Sequence, residues 1–347
     1  RGIGIQGAAQ ALGLALGPVV GGLLLAAGGW RLIFIVNVPA GIVGTAAAWI
    51  FLPRSRDLHA LTPFDWIGLG LFVPTIVTLL VAISFGHHWG WTSAPSIALF
   101  LAAVATGVGF VGYERRCREP MLDLSLFRRV PFATGVISGL LAYGMLFGAM
   151  FALPFFLERA RGASPDQVGL VLTALPLALG CVAPVAGRLA EHVGSRPLTV
   201  AGMALASGML AFVGLSQPSG WLLIAELGLI GIGLGLFIPP NNAAIMASAP
   251  RTQAGMAGGV LNMTRGLGTA LGLALTSLVF GAVVADRTSV SATSKGFTAA
   301  ALFLAVVALV AALLAAGLPG SIRMRHIDDT AEPPRRKWTK RRDTSGR

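Results

Sequence analysis

The feature that most constrains this chain is a succession of apolar runs, each close to a bilayer's thickness in length and almost free of charge, with arginines gathered in the breaks between them. A helix rises about 1.5 Å per residue, so a run of about 20 residues crosses the roughly 30 Å of a membrane's hydrocarbon core. Within lipid only helices and closed barrels satisfy every backbone N–H and C=O, and barrel strands would read as alternating segments of about ten residues. The chain is therefore expected to be an all-α membrane protein, a helical bundle. A mean hydropathy of +0.77 with 12% charged residues excludes an ordinary water-soluble globule.

The runs fall at 3–28, 32–52, 65–85, 94–113, 133–157, 166–189, 197–215, 221–240, 255–284 and 296–317. They predict about ten transmembrane helices, the longer ones tilting or protruding. One alternating set of breaks holds Arg54 and Arg56, then Arg115, Arg116, Arg118, Arg128 and Arg129, then Arg188 and Arg196, then Arg251, and ends in a basic tail. The other set holds only Arg31, Arg159, Arg161, Arg287 and Lys295. The excess of positive charge assigns the first set, and both ends of the chain, to the cytoplasm. The net charge of +12 is thereby a property of topology, and no nucleic-acid partner is expected. Residues 318–347 are polar and basic, a disordered tail suited to anionic lipid. Beginning on Arg1, the chain reads as a segment of a longer protein.

Small and polar residues inside the spans are the candidates for function. Gly13, Gly17 and Gly21 recur every fourth residue, with Gly22 beside them and Pro18 between, on a face that lets another backbone approach while the proline loosens the turn. The same spacing also serves plain helix packing. Gln6 and Gln10 lead into that face, and Asn37 opens the second span. A constant offset brings Gln10, Leu12, Gly13 and Gly17 onto Arg265, Leu267, Gly268 and Gly272, so the first and ninth spans read as counterparts in a repeat.

Arg265 stands near the midplane of the ninth span, where a charge is costly and usually functional. Gly258, Asn262, Thr269, Gly272 and Thr276 surround it at three- and four-residue steps, a small polar stripe expected on one helix face. Glu226 is a carboxylate inside the eighth span, and a group that loads and releases a proton as its surroundings change is what proton coupling requires. Its shallow depth equally suits an interfacial Glu. Asn241 and Asn242 follow Pro239-Pro240, where a broken helix would expose carbonyls; bonding between neighbouring helices is the simpler role for each.

Gly187 to Leu198, with Glu191, Gly194 and Arg196, reads as a tight cytoplasmic loop in which Glu191 can pair with a basic group or helix end at an inner gate. Residues 114–131 form a connector whose Met121, Leu122, Leu124, Leu126 and Phe127 suit an amphipathic stretch along the membrane face or a plain linker. His87 and His88 lie with Trp89 and Trp91 in an expected extracellular loop, as an interfacial aromatic anchor rather than a metal site. Cys117 and Cys181 indicate neither a disulfide nor a metal site. No phosphate-binding GxxxxGK[ST] or hydrolase motif occurs, so neither enzyme chemistry nor a bound cofactor is expected.

Taken in order, these motifs resemble the major facilitator superfamily, and within it the fourteen-helix drug:proton antiporter family. Gly13 to Gly22 resembles the antiporter signature of that family's fifth helix. Trp30 to Gly41 is similar to the segment leading into its sixth, and Glu114 to Arg128 to its central connector. Gly187 to Arg196 is similar to the gating loop of its second half, and Thr264 to Gly268 to its thirteenth helix. Glu191 stands where Asp is usual, and Gly266 where Gln commonly follows the arginine.

The resemblance implies a chain that carries helices five to fourteen. Residues 1–52 would close an N-terminal bundle, 53–131 would hold two inserted helices and the connector, and 132–317 would form the C-terminal six-helix bundle. The implied activity is proton-driven efflux of amphipathic or cationic compounds through the cytoplasmic membrane by alternating access. Gly13, Gly17, Pro18, Gly21, Gly22, Gly187, Glu191, Gly194 and Arg196 would serve gating, and Arg265, Glu226, Gln10, Asn37 and Asn262 the pathway. Export of an endogenous metabolite is the alternative; a channel or a non-transporting receptor are the others.

Overall fold

The computed structural model describes residues 13, 17, 20–25, 27–51, 65–117, 120–250, 253–284 and 289–317. Among them nine helices are long and apolar enough to cross a membrane, and no strand occurs. They are α1 (Trp30–Phe51), α2 (Trp66–Trp89), α3 (Ala94–Glu114), α4 (Val130–Phe155), α5 (Pro165–Val193), α6 (Ser195–Ser216), α7 (Trp221–Ser248), α8 (Ala254–Val284) and α9 (Val290–Ala316). Of the expected span 3–28, Gly13, Gly17 and residues 20–25, 27 and 28 are described, and all are helical. Gln6, Gln10, Pro18 and the tail from 318 lie outside the described residues.

Side chains that compete with the backbone start these helices. Asp65 accepts from Gly68 N at 2.7 Å to open α2, Ser289 accepts from Ala292 N at 3.2 Å to open α9, and Gln167 reaches back to Ser164 N at 3.2 Å before α5. The turn between α5 and α6 is a single residue, Gly194, at φ +85°. Only glycine enters that region freely, so one residue reverses the chain. The loop expected from Gly187 to Leu198 is therefore helical on both sides of this joint.

Two further expectations are corrected. α7 does not break at Pro239-Pro240; it runs on to Ser248. Prolines remove backbone donors, yet in a bundle neighbouring helices compensate, and Asn241, the next residue, is bonded to α4. The connector turns apolar residues inward onto protein instead of presenting a free apolar face. A short 3₁₀ turn, Leu124–Arg128, turns Leu122 and Leu126 into a cluster with Phe110, Phe132, Val136, Ile245, Ala257 and Val260. Its apolar residues meet protein because α4, α7 and α8 offer an apolar floor there.

Helices α4 to α9 form the main core. α4 packs on α7, α8 and α9, α5 on α7, and α6 on α7 and α9. Exchanging α4, α5, α6 for α7, α8, α9 leaves these pairings unchanged: α5–α7 becomes α8–α4, and α6–α7 becomes α9–α4. That is the pattern of two three-helix units related by a two-fold exchange. α2 and α3 pair with each other, and α2 leans on α8. α1 buries no side chain among the described residues.

Candidate functional site

α8 is where the expected polar stripe meets the bundle, and the helix divides it. Val260, Thr264, Gly268, Gly272, Thr276, Phe280 and Val284 are all buried, a row at four-residue intervals. Such rows cross the helix surface obliquely, so a neighbour packed along one leaves a straight stripe partway. Gly272 and Thr276 thus lie under α4, whereas Asn262 is exposed and Arg265 half exposed. The stripe does not occupy one environment.

The α4–α8 crossing is backbone on backbone. An ideal Cβ on Gly268 would lie 2.5 Å from Leu140 O and 3.0 Å from Tyr143 Cβ, and one on Gly144 would lie 3.2 Å from Gly268 O. Beside it sits a buried polar knot. Asn241 of α7 is 1% exposed, donates to Gly135 O at 3.0 Å, and receives the Ser138 hydroxyl at 3.4 Å. Asn241 therefore joins helices rather than lining a space. Sequence reasoning missed Ser138 and Gly135, whose only signal is a small-residue run in α4.

On the other side of α8, Arg265 Nη2 donates to Asn262 Oδ1 at 2.8 Å, one turn earlier on the same helix. Among the described residues no carboxylate forms an ion pair with Arg265. Glu226 lies about 8 Å into α7 at 1.5 Å per residue, with 3% of its surface exposed. Both of its carboxyl oxygens are buried without a hydrogen-bond partner, a costly condition for a polar group in an apolar interior. Glu226 and Arg265 are not partners.

The remaining predicted residues sit apart from these. Gly13, Gly17 and Gly21 carry open space, with nothing within 4 Å of an added Cβ, while a Cβ on Gly22 would lie 3.2 Å from Pro165 O at the start of α5. Asn37 is exposed and donates to Ile33 O at 3.1 Å. Glu191 and Arg196 are exposed on either side of Gly194 and form no ion pair with each other, and Gly187 is half exposed in α5. Inside the six-helix bundle a cavity lined by Ala149, Leu153, Leu210, Leu227 and Phe297 among others measures about 10 Å³, scarcely room for one water.

Residues 1–65 and 135–344 match the family model described as Major Facilitator Superfamily. The chain belongs to the major facilitator superfamily. The match skips residues 66–134, which hold α2, α3 and the connector. The chain is 32% identical over 283 residues to the multidrug resistance protein Stp of Mycobacterium tuberculosis, covering 81% of this chain and 52% of that protein. It is 33% identical to the riboflavin transporter RibZ of Clostridioides difficile, covering 81% and 60%. To the tetracenomycin C resistance and export protein of Streptomyces glaucescens it is 30% identical, covering 82% and 53%. The chain spans about half the length of the multidrug and tetracenomycin relatives, 52% and 53%. These relatives are by name multidrug-resistance, transport and antibiotic-export proteins. The chain's nine apolar helices among the described residues make it a multi-pass membrane protein of that superfamily.

Proposed function

We propose that the protein exports small amphipathic or cationic compounds in exchange for protons, by alternating access across the cytoplasmic membrane with both ends of this chain inside. The observation that carries the reading is Glu226: a buried carboxyl group within a span, both oxygens unpartnered. A group so placed gains by binding a proton and can yield it when the helices rearrange and water reaches it. Arg265 and Asn262, bonded to each other on the outward side of α8, with Asn37 and Gln10, would line the pathway. Gly13, Gly17, Pro18, Gly21 and Gly22 would give the compliant contact on which bundles rock. Gly187, Glu191, Gly194 and Arg196 would form the inner gate, with Gly194 as its joint. Residues 53–131 would be an insertion between two six-helix halves, in keeping with the break in the family match.

The test is efflux of a fluorescent cationic dye from cells carrying the full-length gene, with and without a protonophore, beside Glu226→Gln and Arg265→Ala. Protonophore-sensitive efflux that Glu226→Gln abolishes at unchanged membrane expression is expected. Efflux indifferent to the protonophore sinks proton coupling, and wild-type activity in Glu226→Gln removes that residue from it. A second reading, export of a polar metabolite, draws on the likeness to a riboflavin transporter; absence of dye efflux with retained release of such a compound would favour it.

A further inference from the structure

Among the described residues five buried side-chain atoms have no hydrogen-bond partner: both Glu226 oxygens, Thr276 Oγ1, Asp65 Oδ2 and Glu114 Oε2. The last two belong together. Asp65 caps the start of α2 and Glu114 is the last residue of α3, so the α2–α3 hairpin brings its two carboxyl groups to one end. They meet over Gly68: an ideal Cβ there would lie 2.8 Å from Asp65 Cγ and 3.1 Å from Glu114 Oε1. Only a glycine leaves room for both.

Each carboxyl has used one oxygen and kept one. Asp65 Oδ1 accepts from Gly68 N at 2.7 Å, and Glu114 Oε1 accepts from Leu122 N of the connector at 3.3 Å. Asp65 is 9% exposed and Glu114 4%, so solvent does not satisfy the other two oxygens. Nor does a cation: among the described residues no arginine or lysine forms an ion pair with either. The neighbouring titratable groups are the Tyr113 phenol, which interacts with Asp65 electrostatically and through a weak side-chain hydrogen bond, and the Cys117 thiol, which donates to that phenol at 3.9 Å. α8, packed on α2, carries Arg265 alone, which is bonded to Asn262. The connector carries Arg115, Arg116, Arg118, Glu119, Asp123, Arg128 and Arg129; Arg118 and Glu119 lie outside the described residues, and Arg129 Nη1 donates to Ser248 O at 2.9 Å.

Two carboxylates this close and this buried do not both carry charge without a compensating ion. A calcium ion takes about six to eight oxygen ligands and magnesium about six, whereas this site has two free carboxyl oxygens and a phenol. One shared proton needs one donor oxygen and one acceptor, and the two carboxyl groups supply both where Asp65 and Glu114 Oε1 flank Gly68.

We propose that Asp65 and Glu114 form a proton-binding site, a carboxylic acid–carboxylate pair holding a single proton where the inserted hairpin meets the connector. The proton enters and leaves through the water at the cytoplasmic end of α2, on the side of the less buried Asp65. Its presence sets the connector, because Glu114 also holds Leu122 N and the next residue is fastened to α8. Asp123 Oδ2 accepts from Gln253 Nε2 at 2.6 Å, and Asp123 N donates to Met256 Sδ at 3.1 Å. Loss of the proton leaves two facing negative charges, and their repulsion loosens the hairpin from the connector while α4 to α9 keep their packing. The site is separate from Glu226 and does not depend on the substrate or direction of transport.

The experiment is infrared difference spectroscopy on the purified full-length protein in lipid, titrated with alkali, for wild type, Asp65→Asn, Glu114→Gln and Glu226→Gln. The expected result is the carbonyl band of a protonated carboxylic acid at neutral pH that shifts in D₂O and is lost in both Asp65→Asn and Glu114→Gln. In either variant an amide replaces one of the two oxygens that share the proton, so the band of the shared proton disappears from its wild-type position. The same band is retained in Glu226→Gln. A spectrum in which neither pair substitution removes any neutral-pH acid band overturns the proposal. Each amide keeps an acceptor oxygen for Gly68 N or Leu122 N, and if one variant fails to fold, the other decides alone.

Discussion

Small residues recur at four-residue spacing in two stretches of this chain, and the two stretches stand in opposite surroundings. In α8, Gly268 and Gly272 are buried against α4, and a Cβ on Gly268 would run into Leu140 O at 2.5 Å. In the stretch before α1, a Cβ on Gly13, Gly17 or Gly21 would meet nothing within 4 Å, whereas one on Gly22 would lie 3.2 Å from Pro165 O. The spacing permits close approach of another backbone; it does not supply one. Where the partner is present the glycines are structural, and dispersion across the crossing holds the helices together. Where it is absent from the described residues, the same pattern is free for a contact that forms and breaks.

The strongest way to break this contrast is to fill the packed side. Gly272→Ala places a methyl group onto the Gly144 backbone, which cannot yield as a flexible side chain would. The cost is expected at about 3 kcal/mol, the upper range for overpacking, read as a lower unfolding temperature in detergent. A variant as stable as wild type would mean that α4 and α8 are not in backbone contact. Next in size is Asn241→Ala, which removes the bonds to Gly135 and Ser138. Interhelical bonds of this kind are worth about 1 kcal/mol. A loss no greater than that of an exposed polar-to-alanine change would show that the knot is not part of the crossing.

The sequence made the number and rough limits of the spans legible because hydrocarbon thickness and backbone satisfaction leave few alternatives. It also exposed Glu226 and Arg265, since charge in an apolar run is conspicuous. What it concealed depends on neighbours remote in the chain. The stripe through Gly258, Asn262 and Gly272 is straight on a helical wheel, but α4 crosses it along the Thr264–Gly268–Gly272 row, and a wheel carries no crossing angle. Asp65 and Glu114 each look like ordinary residues at a span's end; only the hairpin makes them a pair. Pro239-Pro240 reads as a break because local chemistry favours one, and the bonds of Asn241 to α4 stand beyond the reach of local reading.

A smaller effect tests the boundary between the packed bundle and the hairpin. The Ser125 side chain and backbone N–H, with Gln253, hold the Asp123 carboxyl below the usual carboxylate range. A folded-state value depressed below the unfolded one contributes stability that is present above about pH 4 and lost as pH falls through the folded value. Hydrogen exchange at the Ser125 amide should therefore speed up on acidification relative to neutral pH, after correction for intrinsic rates. Asp123→Asn should flatten that dependence. A pH profile that Asp123→Asn leaves unaltered would assign the connector's hold to Leu122 and Leu126 alone, both buried in the adjoining cluster.

The smallest expected change in stability sharpens the comparison from its open side. Gly13→Ala and Gly17→Ala add a methyl group where the described structure has space, so each should shift stability by no more than about 0.5 kcal/mol, as for surface substitutions. If these glycines serve a contact made during transport, dye efflux by the full-length protein should nevertheless fall several-fold, because the added Cβ holds apart two backbones that must close. Efflux and stability both unchanged would leave the glycines as spacing without function. Stability falling as far as in Gly272→Ala would show a permanent partner, and the two stretches would then be two instances of one kind of packing. Small loss in stability with large loss in flux is the one combination that separates a static glycine crossing from a moving one.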